Sequence, residues 1–196
     1  MDPAGFTNLR IKGISFELEP VETKRQLQIS QVWTSRREVR PGDSVQVTAL
    51  LAGEDGLEFT RTATYHVPVG APLGQLNLTV SDANGLNFPD YAGLSAASLH
   101  TAEQLIRIVN RFRASDAAYV RVWRQEPSFS VAGPLPGGDL TDPPPSVMLI
   151  LANPSTSLIN TSPITLQRGS EIAEFALSAN GYVLTGTKTV QVEVKE

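Results

Sequence analysis

The chain of 196 residues has no cysteine. That absence removes disulfides, thiolate nucleophiles and cysteine-ligated zinc or iron–sulfur centres together. It does not assign a compartment, since both the cytoplasm and a bacterial exterior tolerate it. Histidine is scarce as well, with two in the chain. His66 alternates with Thr60, Thr62 and Thr64 on the polar side of a strand, and His100 stands just before a helical pattern. Neither has the local hydroxyl and acid that a Ser-His-Asp hydrolase requires, and no Gly-x-Ser-x-Gly elbow occurs. The adjacent glycines of "LPGGDLTDPPP" lack the Gly-Lys-Ser/Thr ending of a phosphate loop and run into prolines. There is no excess of positive charge: 16 basic against 20 acidic residues leave a net −4. A nucleic-acid partner is therefore not expected, because a phosphate backbone demands a basic stripe. The longest apolar run, Val147 to Ala152, is far short of the roughly 20 residues needed to cross a bilayer as a helix. The opening "MDPAGFTNLR" has no basic patch followed by an apolar stretch, so an exported form would need a signal upstream.

What the chain does have is two-residue alternation. Leu9 and Ile11 share one phase; after Gly13, Ile14, Phe16 and Leu18 take the other, as in a bulged first strand. Leu27, Ile29 and Trp33 follow. Pro41-Gly42-Asp43 marks a turn, and Val45, Val47, Ala49 and Leu51 then point to one face. Gly53 to Gly56 closes a hairpin onto Leu57, Phe59, Ala63, Tyr65 and Val67, and Leu76, Leu78 and Val80 alternate again. Short strands punctuated by glycine and proline predict an antiparallel sandwich. The phrase "EVRPGDSVQVTALL" resembles the opening strands of bacterial immunoglobulin-like modules.

The period changes after residue 82. In "HTAEQLIRIVNRFRAS", Leu105, Ile108, Val109 and Phe112 recur at helical spacing, and Thr101 with Gln104 fits a capping box, so one amphipathic helix is expected at about 101–114. "AYVRVWRQ" reads as a strand with Val120 and Val122 on one face and Tyr119, Arg121 and Trp123 on the other. A short strand in "PSFSVAG", a proline-rich loop, a strand at Val147 to Leu151 and an irregular stretch "NPSTSLINTSPITLQRGS" follow. Asn180-Gly181 predicts a C-terminal hairpin ending with Val190, Val192 and Val194 on one face. The expected fold is mainly β: an immunoglobulin-like antiparallel β-sandwich over 1–82, with an α+β elaboration over 83–196. One compact body is favoured over a division near residues 82 to 95.

Two groups of residues carry candidate chemistry. "VSDANGLNFPDY" places Asp82, Asn84, Asn87 and Asp90 around Gly85. Calcium wants six to eight hard oxygens and a terminal bidentate acid. That acid is missing and Pro89 interrupts the segment, so a polar corner is preferred over a calcium loop. No metal or other cofactor is expected. Tyr119, Arg121 and Trp123 form the second group: an aromatic–arginine row can stack on sugar rings or anchor a partner, or can be covered by a neighbouring element. The acceptor patterns Asn77-Leu78-Thr79 and Asn160-Thr161-Ser162 matter only in a eukaryotic secretory route.

The phrases "VWTSRREVRPGDSVQVTALLAGEDG", "YHVPVGAPLGQLNLTVSDANGLN", "AEQLIRIVNRFRASDAAYVRVWR", "LTDPPPSVMLILA" and "GTKTVQVEVKE" together resemble the C-terminal region of large exported bacterial proteins. Those proteins carry, upstream, a serine peptidase domain of the stage IV sporulation protein B family. The resemblance spans Leu9 to Glu196. It implies a non-catalytic accessory module outside the cytoplasm, partnered by the upstream domain of the same polypeptide or by an envelope protein. The family's peptidase motif, a histidine with a Gly-x-Ser-Gly nucleophile, has no counterpart here, so no catalytic residue carries over. The alternative expectation is a carbohydrate-binding module using the Tyr119–Trp123 face.

Overall fold

The computed structural model of the chain describes residues 24–54, 56–96, 106, 109–125, 128–131, 140–141, 164–167, 170–179 and 181–196, with isolated positions between 12 and 22. The strands are β1 (Gln26–Thr34), β2 (Glu38–Val39), β3 (Ser44–Gly53), β4 (Glu58–His66), β5 (Gly74–Ser81), β6 (Ala117–Arg124), β7 (Ser128–Val131), β8 (Leu140–Thr141), β9 (Ile164–Gln167), β10 (Ser170–Ser178), β11 (Val183–Thr185) and β12 (Thr187–Val194), and the helix α1 is Ala83–Ala96. They form two large sheets, in the orders β11-β1-β3-β4 and β10-β6-β5-β12-β2, and a small one, β8-β7-β9.

The two large sheets make a sandwich because each is apolar on its inner side. Val45, Val47, Ala49 and Leu51 of β3 are fully buried, as are Leu76, Leu78 and Val80 of β5 and Val120 and Val122 of β6. One hydrophobic cluster joins them with Leu27, Ile29, Leu184, Val192 and Val194. The cluster draws on residues both before and after 82, so a boundary there would cut through one core. The two-residue period of a strand explains this: alternation in sequence becomes two faces in space. Turn chemistry sets the register. Gly42 has φ 91° behind Pro41, and Asp43 accepts from and donates to Arg40, which is the pattern of a tight turn needing glycine at its third position. The β3–β4 hairpin closes through Gly56, φ 80°.

Some expectations are corrected. A bulge between Ile29 and Gln31 shifts the phase of β1, so Val32 packs on the core and Trp33 is left exposed. The segment expected to be a polar corner is the start of α1. The C-terminal hairpin is not formed: Gly181 does turn the chain, with φ 83°, but β10 and β11 belong to different sheets, and so do β11 and β12. Gly186, φ 102°, is the single residue between them. Within the stretch read as irregular, Ile164–Gln167 is a strand, as is Leu140–Thr141 in the proline-rich loop. Of the helix expected at about 101–114, the described residues Ile106 and Val109–Arg111 are helical, while Phe112–Ala114 are not. The strand expected at Val147 to Leu151, the acceptor at Asn160, His100 and the apolar positions of the first strand lie outside the described residues.

Candidate functional site on the outer face of the second sheet

The site follows from register. Directly opposed residues of an antiparallel sheet share a face. Pairing therefore aligns Glu174, Arg121, Thr79 and Thr189 in one row, and Ala176, Tyr119, Ser81 and Thr187 in the next. Trp123, Asn77 and Gln191 make a third. All three rows face away from the core, yet Asn77, Thr79 and Ser81 are buried. Their polar groups are consequently paired along the rows: Thr79 with Thr189 at 2.8 Å and Ser81 with Thr187 at 2.6 Å. The Trp123 indole N–H donates to Thr79 at 2.9 Å, and Gln191 donates to Asn77 at 3.3 Å. The Asn77 Nδ2 group is the orphan of the row, buried with no acceptor. At 3 % exposure Asn77 is also no acceptor for a glycan.

The helix α1 begins where β5 ends, and its composition alone does not explain it. Asn84, Gly85, Asn87, Pro89 and Gly93 are poor interior helix residues, and Pro89 removes an internal hydrogen bond. Three tertiary anchors compensate. Asp82 is the N-cap: one carboxylate oxygen accepts the Gly85 N–H at 2.6 Å and the other accepts the Gly186 N–H at 2.7 Å. Gly85 lies so close to the sheet that a Cβ there would stand 2.2 Å from the Ser81 hydroxyl and 2.6 Å from that of Thr187. Asn87, finally, brackets the backbone of Arg113, accepting its N–H and donating to its carbonyl, both at 3.0 Å.

Asp90, one helical turn beyond Asn87, completes a ring of four charges. Arg113 forks onto Glu174 at 2.5 and 2.8 Å and reaches Asp90 at 2.8 Å. Arg121 forks onto Asp90 at 2.9 and 3.2 Å and reaches Glu174 at 3.1 Å. Two cations and two anions thus alternate, each touching both of its opposites, in geometry that suits planar guanidinium against carboxylate. Burial works against ionisation of Asp90, but the hydrogen bonds and charge of Arg121, then of Arg113, outweigh it, and its pKa lies below the ordinary carboxylate value. A carboxylate held ionised in this way is a poor proton donor near neutrality. Its effect is to pin the helical layer to the sheet.

Of the two sequence-derived groups, Asp90 and Arg121 are brought into direct contact, and the other members are placed separately. Tyr119, Arg121 and Trp123 do share a face, and all three are half-buried. The Arg113 guanidinium lies 5.9 Å from the Tyr119 ring centre, the Tyr119 hydroxyl donates to the Ala114 carbonyl, and the Trp123 N–H is taken by Thr79. Of the calcium candidates, Asp82 is a helix cap, Asn84 is exposed, and Asn87 and Asp90 clamp Arg113. They do not converge on one point. His66 is exposed and bonds Ser44 at 2.7 Å. Sequence reasoning missed Arg113 and Glu174. The signal for Glu174 was its outward phase in "EIAEFALS"; Arg113 had none, because its partners lie 23 and 61 residues away.

Beyond the ring, the helical layer carries apolar side chains in solvent. Phe88 is 73 % exposed, and Tyr91, Ile106, Val109 and Phe112 are about half exposed. The Tyr91 and Phe112 rings touch, with centres 6.4 Å apart. Comparisons with protein-family models, curated proteins and solved structures found no match.

Proposed function

We propose that this chain is a non-catalytic interaction module with an immunoglobulin-like sandwich, part of an exported bacterial peptidase-like protein, and that it positions or regulates the peptidase domain of the same polypeptide. The observation that carries the reading is the exposed set Phe88 and Tyr91 on α1, Ile106 and Val109 in the later helical residues, and Phe112 just after them. Several large apolar side chains in water, two of them with touching rings, are disfavoured unless something covers them, and aromatic residues dominate the anchors of protein interfaces. The ring of Asp90, Glu174, Arg113 and Arg121 supports the same reading, because it fixes α1 on a rigid sheet and leaves its carboxylates committed to arginine.

Association with the separately expressed upstream region, followed by analytical ultracentrifugation, tests it. The wild-type chain is expected to bind, and the pair Phe88→Asp and Phe112→Asp to weaken binding at least about tenfold, as for loss of interface anchors. The melting temperature should change little, because Phe88 is largely and Phe112 about half exposed. A complex indifferent to both substitutions, or a reading frame with no peptidase-like region upstream, rejects the proposal.

A further inference from the structure

A cleft of about 270 Å³ is lined by the end of β4, the loop that follows it, and residues of β5, β6 and β10. Its walls are mostly apolar, with Val67, Pro68, Ala71, Leu76 and Ile172 among the lining residues. Two polar side chains also line it. Arg124, the last residue of β6, is on the core-facing side of its strand and only 4 % exposed. Two of its nitrogens donate to backbone carbonyls, Nη2 to Pro72 at 2.5 Å and Nη1 to Leu73 at 3.4 Å. The Nε–H group is buried with no acceptor, and among the described residues no carboxylate pairs with the guanidinium. A buried cation without a counter-ion is expensive, and so is a buried donor without an acceptor. The second side chain is Tyr65, 7 % exposed, whose hydroxyl has no hydrogen-bond partner among the described residues. Burial pushes the Tyr65 phenol above its ordinary pKa, against the opposing charge of nearby Arg124, so it stays a neutral donor.

We infer that this cleft binds a carboxylate carried on a small apolar group, with Arg124 and Tyr65 donating to the carboxylate and the proline-rich wall taking the apolar part. The reasoning is one of complementarity. Among the described residues the Arg124 guanidinium has no counter-ion and the Tyr65 hydroxyl has no protein acceptor, and a carboxylate is an acceptor-only anion that answers both. A single guanidinium matches one negative charge, and among the described lining residues there is no further cation for a doubly charged phosphate. The volume suits a short branched acid or one residue of a peptide, smaller than a typical cofactor pocket. Both sources offer the same chemistry, a free acid and the C-terminal carboxylate of a peptide. The site shares no residue with the helical surface, and the inference holds whatever covers that surface.

Calorimetric titration of the whole chain with N-acetyl-leucine, 4-methylpentanoate, the neutral N-acetyl-leucinamide and inorganic phosphate tests it. The two acids should bind saturably, the amide at least about tenfold more weakly, as expected for a lost charge-assisted hydrogen bond. Phosphate should not compete. A longer peptide ending in leucine that binds tighter than N-acetyl-leucine points to peptide termini; equal or weaker binding points to the free acid. Tyr65→Phe removes one oxygen without changing shape, and should weaken the acids several-fold while leaving the amide unchanged. Arg124→Met should abolish acid binding, and the Arg124 Nε–H resonance of the wild type should shift on titration, a readout independent of whether that variant folds. Equal binding of acid and amide, no saturable binding, an unchanged affinity in Tyr65→Phe or a static Nε–H resonance would each overturn the inference.

Discussion

Gly85 stands where two preferences oppose each other. In an exposed helix, alanine is the better residue by about 1 kcal/mol. Here the added methyl would fall 2.2 Å from the hydroxyl of Ser81, a residue with no exposed surface whose Oγ is held by Thr187. Overpacking of that kind costs about 1–3 kcal/mol. Gly85→Ala is accordingly expected to destabilise, moving the urea midpoint down with an unchanged slope; a variant as stable as the wild type would mean that the helix can ride up from the sheet. Asp82 is the companion case. Its membership of a polar corner was legible. Its second bond, to Gly186, was not, because the two are 104 residues apart.

For whole elements, what could be read from sequence follows the origin of the stabilising forces. The strands around the core were legible from Val45 to Leu51, from Leu76 to Val80 and from Val120 to Val122, because burial on one face writes alternation into the sequence. The helix α1 was not, since Asn84, Gly85, Asn87 and Pro89 argue against it and its supports come from Gly186, the sheet surface and Arg113. Asp90 and Arg121 were each noticed, but as members of separate candidates; only the fold joins them. Their ring makes the attachment of α1 depend on pH. Because the folded pKa of Asp90 is depressed, its contribution is complete above the unfolded value of about 4 and is lost as pH falls through the folded one. Asp90→Asn should lower stability at pH 7 by about 1–2 kcal/mol, less than for a fully buried pair because this carboxylate is 37 % exposed. Urea titrations at pH 7, 4 and 3 should also give a shallower acid slope than in the wild type. Parallel slopes would show that other carboxylates govern the acid limb.

In the molecule as a whole, one hydrophobic cluster serves both large sheets, so neither is expected to melt alone. The two tryptophans are well placed to check this, Trp33 in the first sheet and Trp123 in the second. In Trp33→Phe and in Trp123→Phe, the fluorescence midpoint of the remaining tryptophan should coincide with that of far-ultraviolet circular dichroism. A gap in either variant would reveal separately folding units.

The way the first and last strands meet also bears on how the molecule responds to tension. β1 runs parallel to β11 and β2 runs parallel to β12. Pulling on the chain before β1 and after β12 therefore drags neighbouring strands past each other along their length, and the bonds between them resist together. Lys24 and Glu54, by contrast, flank the adjoining ends of the antiparallel β1–β3 pair, where bonds would open in succession. Single-molecule pulling from Lys24 and Glu196 should need a larger force than pulling from Lys24 and Glu54. A segment joined to neighbours on both sides would then transmit load along the polypeptide without yielding first.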